Sequence, residues 1–436
     1  MSESRTAPAF DDAHAGLLLE LLRTPTVTPM ETRMPSAIGD AQLLIAESAA
    51  ELGFEVELHE PPPAAALDAP GVPTPVREVA DAMGRDEFLA CQPNMVLRLG
   101  PETDHERTLM LNAHLDTVGG DVPVGERDGV ISGRGAVDMK GPAVALLAAV
   151  RDALRERPDL TERIAVRLQL VSGEESGAMG SYGTRVLVER GLTGRLNVFA
   201  EPTGGVYFDS CTASMTARVT VRGSGSTDDE PDAGENATLL LGHVAVELAA
   251  RLDGPATRAG CKLCVGGLTT GTMHDRVYGE GTLMVNIPYP SAEAAETMER
   301  ELEEAVRGAC ASFAERFAGA GVAARTAQAA ERICHVEWVK RGLPTLEGRD
   351  AEFEGRLAAV GIERLPESRS HERFTCDAIW GSLADGYSIV FGPGTLRKNR
   401  AHAAGEFVRR EDLESYTRAA ARLVLDFDDR AAGLAS

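Results

Sequence analysis

The stretch TLMLNAHLDTV, residues 108–118, is an apolar run that ends in polar residues. The same pattern recurs in RIAVRLQLVSGEE (163–175) and RLNVFAEPTG (195–204), and a helical pattern, AVALLAAVRDALRE, follows the first run at 143–156. Apolar strands that alternate with a helix predict an α/β sheet. Polar residues at the carboxyl ends of such strands are where sites form. We therefore expect the α/β fold class, with a functional site at that edge of the sheet.

Residues 212–341 show a different order of predicted helices and strands. It runs strand, helix, hairpin, helix and strand, in ASMTARVTVRG, ATLLLGHVAVELAARL, HDRVYGEGTLMVNIPY, SAEAAETMERELEEAVRGACASFAERF and RICHVEWVKRG. This βαββαβ order is typical of a ferredoxin-like domain. The α/β pattern resumes at YSIVFGPG, residues 387–394. The sequence thus predicts an α/β domain made of 1–211 and 342–436, with a second domain inserted at 212–341.

A segment rich in proline and alanine, PPPAAALDAPGVPTP, covers residues 61–75. Proline and glycine punctuate the chain so often here that neither a helix nor a strand is favoured. We expect this segment to be an exposed loop without regular structure.

Composition limits the class of protein. A chain of 436 residues, 43% of them apolar and 25% charged, suits two folded domains. The net charge of −23 repels nucleic acid and anionic membranes, so neither is expected as a partner. No apolar run is long enough to span a bilayer, and MSESRTAPAFDD lacks the pattern of a leader. A cytoplasmic location is therefore expected.

The seven cysteines are odd in number and scattered, which is typical of reduced thiols in the cytosol. The pair in CKLC, residues 261–264, allows metal binding or redox cycling. With no second pair beside it, two ordinary thiols near a turn are the favoured interpretation.

Several metal-ligand side chains occur at the predicted strand ends and loops. His114 and Asp116 are two residues apart on a strand, so they leave the same face, and the carboxylate can orient a ligating imidazole. Asp138, in GRGAVDMKG, stands just before a helix whose dipole keeps it ionised. The other candidates are Glu174, Glu175, Glu201 and His402. Imidazole and carboxylate ligands without thiolate suit a pair of Zn²⁺ ions, with Co²⁺ or Mn²⁺ as alternatives. Two such ions can share a carboxylate and activate a water molecule.

The motifs HLDTV, GRGAVDMKG, SGEESG, AEPTG and GPG…AHAAGEF, in this order and with the βαββαβ insertion, resemble the M20 family of metallopeptidases and amidohydrolases. That family includes acetylornithine deacetylase, succinyl-diaminopimelate desuccinylase and glutamate carboxypeptidase. The resemblance covers nearly the whole chain. It implies a zinc-exopeptidase-like catalytic domain, two divalent metal ions, and an inserted lid or dimerisation domain through which a homodimer forms.

Residue roles are also implied by the resemblance. Asp138 is expected to bridge both metals, with His114 and Glu201 on one ion and Glu175 and His402 on the other. Asp116 is expected to orient His114. Glu174 is expected to act as the general base, taking a proton from the attacking water and passing it to the leaving amine.

The chain departs from the family pattern in the inserted domain. A histidine that reaches a substrate oxyanion in many relatives is replaced here by Thr227, or by the neighbouring Ser226 in a looser alignment. Asp275 stands where an asparagine is usual, and Pro288 stands where an arginine is usual. Those residues help to grip a substrate carboxylate, which an aspartate repels. One interpretation is that the lid is no longer used. The favoured interpretation is a changed specificity, in which the substrate carries a neutral or cationic group in place of the carboxylate.

The neighbours of Asp275, His274 and Arg276, either substitute for the missing groups or are hairpin residues that face solvent. A second departure is the loop GPGTLRKNRAH (392–402), which is longer and more basic than the usual link. It either reads an anionic part of the substrate or is simply solvated, and its basic residues are Arg397, Lys398 and Arg400.

The segment FTCDAIWG, residues 374–381, resembles a loop that lines the site in the family. Thr375 and Asp377 are therefore candidates for substrate contact, whereas Cys376 is expected to pack rather than to act as a nucleophile.

The expected activity is metal-dependent cleavage of an amide bond in a small N-acylated amino acid or similar molecule, that is, a deacylase. One alternative is an exopeptidase or carboxypeptidase that releases a terminal residue from a peptide or an amino-group carrier protein. An alternative of another class is a non-catalytic relative that only binds a ligand, which the replaced lid residues favour and the complete metal-ligand set disfavours.

Overall fold

The computed structural model describes residues 8–102 and 104–434. The chain divides into two compact units: unit 1 is the chain up to Cys211 and from Leu346 onward, and unit 2 is Thr212–Thr345. The second unit therefore ends at Thr345 rather than at the predicted residue 341. None of the described helices is both long and apolar enough to cross a membrane.

The α-helices of the described residues are α1 Asp12–Arg23, α2 Pro29–Thr32, α3 Ile38–Ala50, α4 Thr74–Met83, α5 Arg85–Ala90, α6 Lys140–Glu156, α7 Thr184–Glu189, α8 Ala237–Arg258, α9 Ala292–Phe317, α10 Gly321–Ile333, α11 Ala351–Ala359 and α12 Arg410–Gly433.

The strands of the described residues are β1 Glu55–Glu60, β2 Asn94–Leu99, β3 Thr108–His114, β4 Gly125–Arg127, β5 Val130–Ser132, β6 Ala165–Val171, β7 Leu196–Phe199, β8 Tyr207–Phe208, β9 Ser210–Cys211, β10 Ala213–Arg222, β11 Ser226–Thr227, β12 Cys264–Thr269, β13 Arg276–Val277, β14 Glu280–Tyr289, β15 Cys334–Lys340, β16 Leu346–Glu347, β17 Tyr387–Phe391 and β18 Phe407–Arg409.

Unit 1 is built on a seven-stranded mixed sheet with the order β1-β2-β6-β3-β7-β17-β8. The four strands β6, β3, β7 and β17 are parallel to one another, and their outer neighbours are antiparallel. Every residue of β3 is buried, as expected for a strand covered on both faces. The parallel arrangement brings the carboxyl ends of four strands to one edge of the sheet.

Helix α6 is buried along almost its whole length, because it packs against β3 and is itself covered by α1 and α12. This explains why its sequence is apolar on nearly every face rather than along one stripe. Its first residues follow Asp138 directly, so the buried helix anchors the loop that carries this carboxylate.

Unit 2 contains a four-stranded antiparallel sheet with the order β12-β14-β10-β15. Helices α8 and α9 pack on each other and on this sheet. The chain order β10, α8, β12, β14, α9, β15 confirms the predicted ferredoxin-like fold.

The prediction of the hairpin in unit 2 was partly wrong. The partner of β14 in the main sheet is β12, which begins at Cys264 of the CKLC pair, and the 274–279 segment instead supplies the short strand β13. Helix α10 was not predicted at all. The two cysteines of the pair are free thiols: Cys261 is buried and Cys264 is exposed.

The proline-rich segment was also wrongly predicted as an exposed loop. Residues Ala64–Asp68 form a 3₁₀ helix, and α4 begins at Thr74. Leu67 is fully buried in an apolar cluster that includes Tyr182. The segment therefore packs against the stretch that follows the two adjacent glutamates.

Candidate metal centre

Four of the five candidate ligands, together with Glu174, lie at or after the ends of four neighbouring strands of the unit 1 sheet. His114 is the last residue of β3, Glu174 and Glu175 follow β6, Glu201 follows β7, and the chain after β17 leads to His402. Because these strands are parallel, their carboxyl ends meet at one edge, where α/β proteins commonly place their sites.

Asp138 lies between the two imidazoles. Its Oδ1 is 3.1 Å from Nε2 of His114, and its Oδ2 is 3.0 Å from Nε2 of His402. Each carboxylate oxygen thus faces a different histidine. His402 Nε2 is also 3.0 Å from Glu175 Oε1, and His114 Nε2 is 3.7 Å from Glu201 Oε1.

These contacts define two overlapping groups, with Asp138 in both. One group contains His114 and Glu201, and the other contains Glu175 and His402; within each group the ligand atoms lie within 4.8 Å of one another. The structure therefore brings together all five residues that the sequence nominated as ligands.

Burial and mutual charge shift the pKa values in this cluster. The hydrogen bonds to Asp138 and Glu175 raise the pKa of His402 to about 10. Burial raises the pKa of Glu175 to about 7 and that of Glu201 well above its usual range. Burial acts on Asp138 in the same direction, but its hydrogen bonds with His114 and His402 hold its pKa below the usual range. Cations would stabilise such a crowded group of carboxylates in the ionised form.

The donor set fits divalent metal ions. It contains imidazole nitrogens and carboxylate oxygens, which suit zinc, cobalt and manganese. Glu201 Oε1 is buried, and no group among the described residues donates a hydrogen bond to it. A buried carboxylate oxygen without a partner is costly, so a bound cation would satisfy it.

Glu174 is close to the cluster without belonging to the overlapping pair of groups. Its Oε2 is 4.0 Å from Nε2 of His114, and its side chain is 12% exposed. Burial raises its pKa well above the usual range, with a further contribution from the charge of Glu175. A raised pKa makes a carboxylate a stronger base, which suits a group that takes a proton from water.

Asp116 contacts His114 through its backbone carbonyl rather than through its carboxylate. The Nδ1 atom of His114 donates to the backbone carbonyl of Asp116 at 2.9 Å, whereas the carboxylate lies 3.6 Å away. The carboxylate oxygens instead accept the backbone N–H groups of Glu174 and Glu175, at 3.3 and 3.0 Å. Asp116 therefore fixes the tautomer of His114 through its carbonyl and holds the glutamate turn through its side chain.

The glutamate turn requires glycine at its start. Gly173 has a φ of +74°, and a Cβ atom there would lie 2.2 Å from the ring of Tyr182. Only glycine accommodates both the left-handed backbone and this close contact.

Two carboxylates that the sequence analysis missed also support the site. Glu31 accepts hydrogen bonds from the backbone of Gly119 and the hydroxyl of Ser176, both at 2.7 Å, and so joins the loops after β3 and β6. Glu406 accepts three backbone N–H groups of the 133–138 loop. Glu406 was visible in the motif AHAAGEF, four residues after His402, but no sequence pattern marks Glu31.

Asp377 begins a short 3₁₀ helix, Asp377–Leu383, and is buried beside Glu201 and Cys376. Its carboxylate accepts a hydrogen bond from the hydroxyl of Thr184, and burial raises its pKa to about 6. Cys376 is buried, with its sulfur 3.6 Å from that of Cys211. Thr375 is half-buried on the same loop.

The basic loop after β17 is exposed at Arg397, Lys398 and Arg400. Lys398 lines a cavity of about 660 Å³ together with Arg409 and residues of α12. None of the five candidate ligands is among the residues that line this cavity in the described chain.

The altered residues of unit 2 lie on one two-stranded ribbon. Strands β11 and β13 pair antiparallel, with Thr227 opposite Arg276, and the backbone N–H of Asp228 donates to the carbonyl of Asp275 at 3.3 Å. Thr227, His274 and Arg276 are exposed. The structure thus brings Thr227 and residues 274–276 together, whereas Pro288 lies in β14 opposite Ser214.

Comparison with known proteins assigns the family. The profile of peptidase family M20/M25/M40 matches residues 110–426, which is more than half of the chain. A succinyl-diaminopimelate desuccinylase of Halorhodospira halophila is 28% identical over 371 residues, covering 80% of this chain and 89% of the relative. A putative LysW-lysine/LysW-ornithine hydrolase of Pyrobaculum aerophilum is 44% identical over 94 residues, covering 21% of this chain and 25% of the relative.

Solved structures share the fold. A tripeptidase from Staphylococcus aureus has a TM-score of 0.66 at 16% identity, covering 96% of this chain and 98% of its own. An M20 family metallo-carboxypeptidase from Sulfolobus solfataricus has a TM-score of 0.66 at 12% identity, covering 96% and 100%. At these identities the likeness shows the fold alone.

The protein is a hydrolase that acts on amide bonds. More narrowly, it belongs to peptidase family M20/M25/M40. The predictions of the family, of the fold class and of an enzyme are confirmed, and the family implies the use of divalent metal.

Proposed function

We propose that this protein is a dinuclear metal-dependent deacylase that cleaves the amide bond of a small N-acylated amino acid or a similar molecule. The observation that carries the proposal is the placement of Asp138, whose two carboxylate oxygens each face a different histidine. The similarity to a desuccinylase along 80% of the chain supports a substrate of this class.

In this proposal Asp138 would be shared by two ions, His114 and Glu201 would hold one of them, and Glu175 and His402 would hold the other. Zinc is the proposed metal, with cobalt or manganese as alternatives, because the donor set is imidazole and carboxylate. Such ions, when bound, supply positive charge that polarises an acyl carbonyl and favours ionisation of water.

The residues of the chain supply proton transfer and positioning. Glu174 takes a proton from the attacking water and delivers it to the nitrogen of the leaving amine, so that a carboxylate and a free amine are produced. Asp116 holds the backbone of Glu174 and Glu175. It thereby sets the direction in which both side chains point.

The ribbon of unit 2 is the proposed origin of substrate choice. Asp275 would repel a substrate carboxylate and Pro288 lacks the charge of the usual arginine, so the corresponding substrate group is neutral or cationic. Thr227 cannot carry the positive charge of the usual histidine, so it would stabilise a substrate oxyanion less. Arg276 and His274 are candidates to contact the substrate from the same ribbon, as are Thr375 and Asp377 from unit 1. Unit 2 is also the proposed lid and dimerisation domain of a cytoplasmic homodimer.

The basic loop after β17 is a further candidate contact. Arg397, Lys398 and Arg400 are exposed, as side chains that read an anionic group at the mouth of a site would be. The alternative is a solvated loop, because the cavity that Lys398 lines includes none of the five candidate ligands.

The test is a screen for free-amine release by the metal-loaded enzyme. N-acetyl, N-succinyl and γ-glutamyl amino acids are compared with short peptides, and each amide is also tested without its free α-carboxylate. We expect turnover of N-acyl compounds, with little loss when the α-carboxylate is removed. A strong preference for the carboxylate would contradict the argument from Asp275, and absence of any metal-dependent turnover would contradict the proposal as a whole.

A second candidate is a hydrolase that releases an amino acid from a carrier protein. The 44% identity with a putative LysW-lysine/LysW-ornithine hydrolase over 94 residues favours it. Turnover of a protein-linked or peptide-linked terminal residue, without activity on simple N-acyl amino acids, would decide for this candidate.

A further inference from the structure

We propose that Glu406 is a positioning residue for the metal centre, because its carboxylate fixes the loop of Asp138 and joins it to the turn of His402. This inference rests on the proposed metal-dependent function. It assigns a task to a fully buried carboxylate that is not itself a ligand in either group.

One carboxylate oxygen of Glu406 accepts hydrogen bonds from the backbone of the Asp138 loop. Its Oε1 accepts the N–H groups of Gly135 at 3.1 Å, Val137 at 3.1 Å and Asp138 at 3.3 Å. These amides precede α6. A charged acceptor makes stronger hydrogen bonds than a neutral one. The side chain of Glu406 therefore holds three backbone N–H groups of this loop in place.

The other oxygen of Glu406 binds Arg134. The Nη1 atom of Arg134 donates to Oε2 at 2.7 Å, and its Nη2 donates to the carbonyl of Ala403 at 3.3 Å. Arg134 lies in the loop of Asp138, and Ala403 follows His402 directly. The buried ion pair of Arg134 and Glu406 therefore forms a second link between the segment of Asp138 and the segment of His402.

Strand pairing explains why Glu406 reaches this loop. Strand β18 pairs with β5, with Phe407 opposite Ser132, and the N–H of Gly133 donates to the carbonyl of Glu406 at 3.3 Å. The pairing of β18 with β5 thus ends with Glu406 beside Gly133, the first residue of the loop that carries Asp138. His402 lies only four residues before Glu406, so the same pairing places both.

The consequence for the metal centre follows from Asp138. Its backbone N–H is one of the three that Glu406 accepts, and its two carboxylate oxygens face the two histidines. A shift of this backbone changes both ligand groups together. Loss of the Glu406 contacts should therefore weaken the binding of both ions rather than of one.

The test compares two buried carboxylates in unit 1. Glu406→Gln keeps the size of the side chain but places an amide N–H₂ against Arg134. The matched control is Asp428→Asn, because Asp428 is also fully buried and accepts hydrogen bonds from Arg157 and Arg163, each at 2.8 Å. Arg157 lies at the far end of α6 from Asp138, about 25 Å along a 17-residue helix.

The readouts are the affinity for Zn²⁺ by calorimetry, the visible spectrum of the Co²⁺ form, and the melting temperature without metal. We expect Glu406→Gln to weaken binding of both ions by about 10- to 100-fold and to change the Co²⁺ spectrum. Asp428→Asn should lower the melting temperature of the metal-free protein but leave the affinity within about twofold, as for a distant and independent site.

Two outcomes would overturn the inference: unchanged affinity and spectrum in Glu406→Gln, or an equal loss of affinity in both variants. The wild-type titration separates this inference from the proposed function. If the wild type binds no divalent metal, the proposed function itself fails. If the wild type binds two ions and Glu406→Gln binds them equally well, only the positioning role fails.

Discussion

The proposed roles of the adjacent glutamates, Glu174 as general base and Glu175 as metal ligand, lead to a specific prediction for Glu174→Gln. The substitution keeps the shape of the side chain and the backbone N–H that Asp116 accepts. It removes only the ability to take up and release a proton. We therefore expect a folded protein that binds metal normally and turns over substrate poorly.

The size of the effect follows from the geometry. Glu174 Oε2 is 4.0 Å from His114, and the side chain belongs to neither of the two groups that share Asp138, although it forms a further possible group with His114 and Glu175. In the proposed arrangement Glu174 is not a ligand. Metal affinity should change little. Loss of a general base costs about 10²- to 10⁴-fold in kcat, which corresponds to about 3–5 kcal/mol of barrier.

The stability of the metal-free protein gives a second expected effect of the same substitution. Burial raises the pKa of Glu174 above its value in the unfolded chain. A carboxyl group whose pKa is raised on folding destabilises the native state at any pH where the unfolded group is ionised. Glu174→Gln should therefore raise the melting temperature of the metal-free protein at neutral pH.

The assay measures kcat by free-amine release, metal stoichiometry by calorimetry and melting temperature by circular dichroism. Glu175→Ala is the comparison, because Glu175 Oε1 is 3.0 Å from His402 and its loss should release metal. Equal loss of metal in both variants, or full turnover by Glu174→Gln, would refute the assignment.

Three further predictions concern Asp116, Asp11 and Leu67. Asp116→Asn should weaken metal binding by about 10- to 100-fold, checked by calorimetry, because an amide cannot accept both N–H groups of the glutamate turn. Burial raises the pKa of Asp11, but the hydrogen bonds and charge of His14, with the charge of Arg151, lower it to about 2. The stability that the ionised group contributes is complete above its unfolded pKa of about 4 and is lost as the pH falls to about 2. Asp11→Asn should therefore cost about 1 kcal/mol at pH 7, after allowance for screening, and nothing at about pH 2, as measured by urea unfolding. Leu67→Ala should cost about 2–5 kcal/mol of unfolding free energy if the residue is in the core, whereas an exposed position would give a change within about 0.5 kcal/mol.

The metal-ligand candidates were predictable because each lies at the end of an apolar run or in a glycine-rich turn. Parallel strands carry such ends to one edge, so His114 and Glu201 could be placed together from their positions along the chain. The contact of Asp116 could not be derived in this way. Its partners belong to the turn of Glu174 and Glu175, and no local spacing reveals a pairing between two separate loops.

The errors in unit 2 and in the proline-rich segment have similar causes. Strand β12 contains Gly266 and Gly267 beside a shift in its pairing with β14, and glycines inside a strand mimic a turn. Leu67 lies among prolines and alanines that indicate a loop. Its burial depends on the side chains of α4 and Tyr182, which supply a tertiary environment that composition does not report.

The two short strands that flank unit 2 in the sequence, β9 and β16, lie side by side. They pair antiparallel, with Cys211 opposite Leu346, so the chain leaves unit 1 and returns to it at neighbouring positions. Opposed Cα atoms in such a pair are only about 5 Å apart. The main chain of unit 1 would thus close over a gap of this length without the residues between them. An insertion joined in this manner can change during evolution while the strand ends that carry the candidate ligands keep their order. This is consistent with a chain whose motifs match the family in unit 1 and depart from it in unit 2.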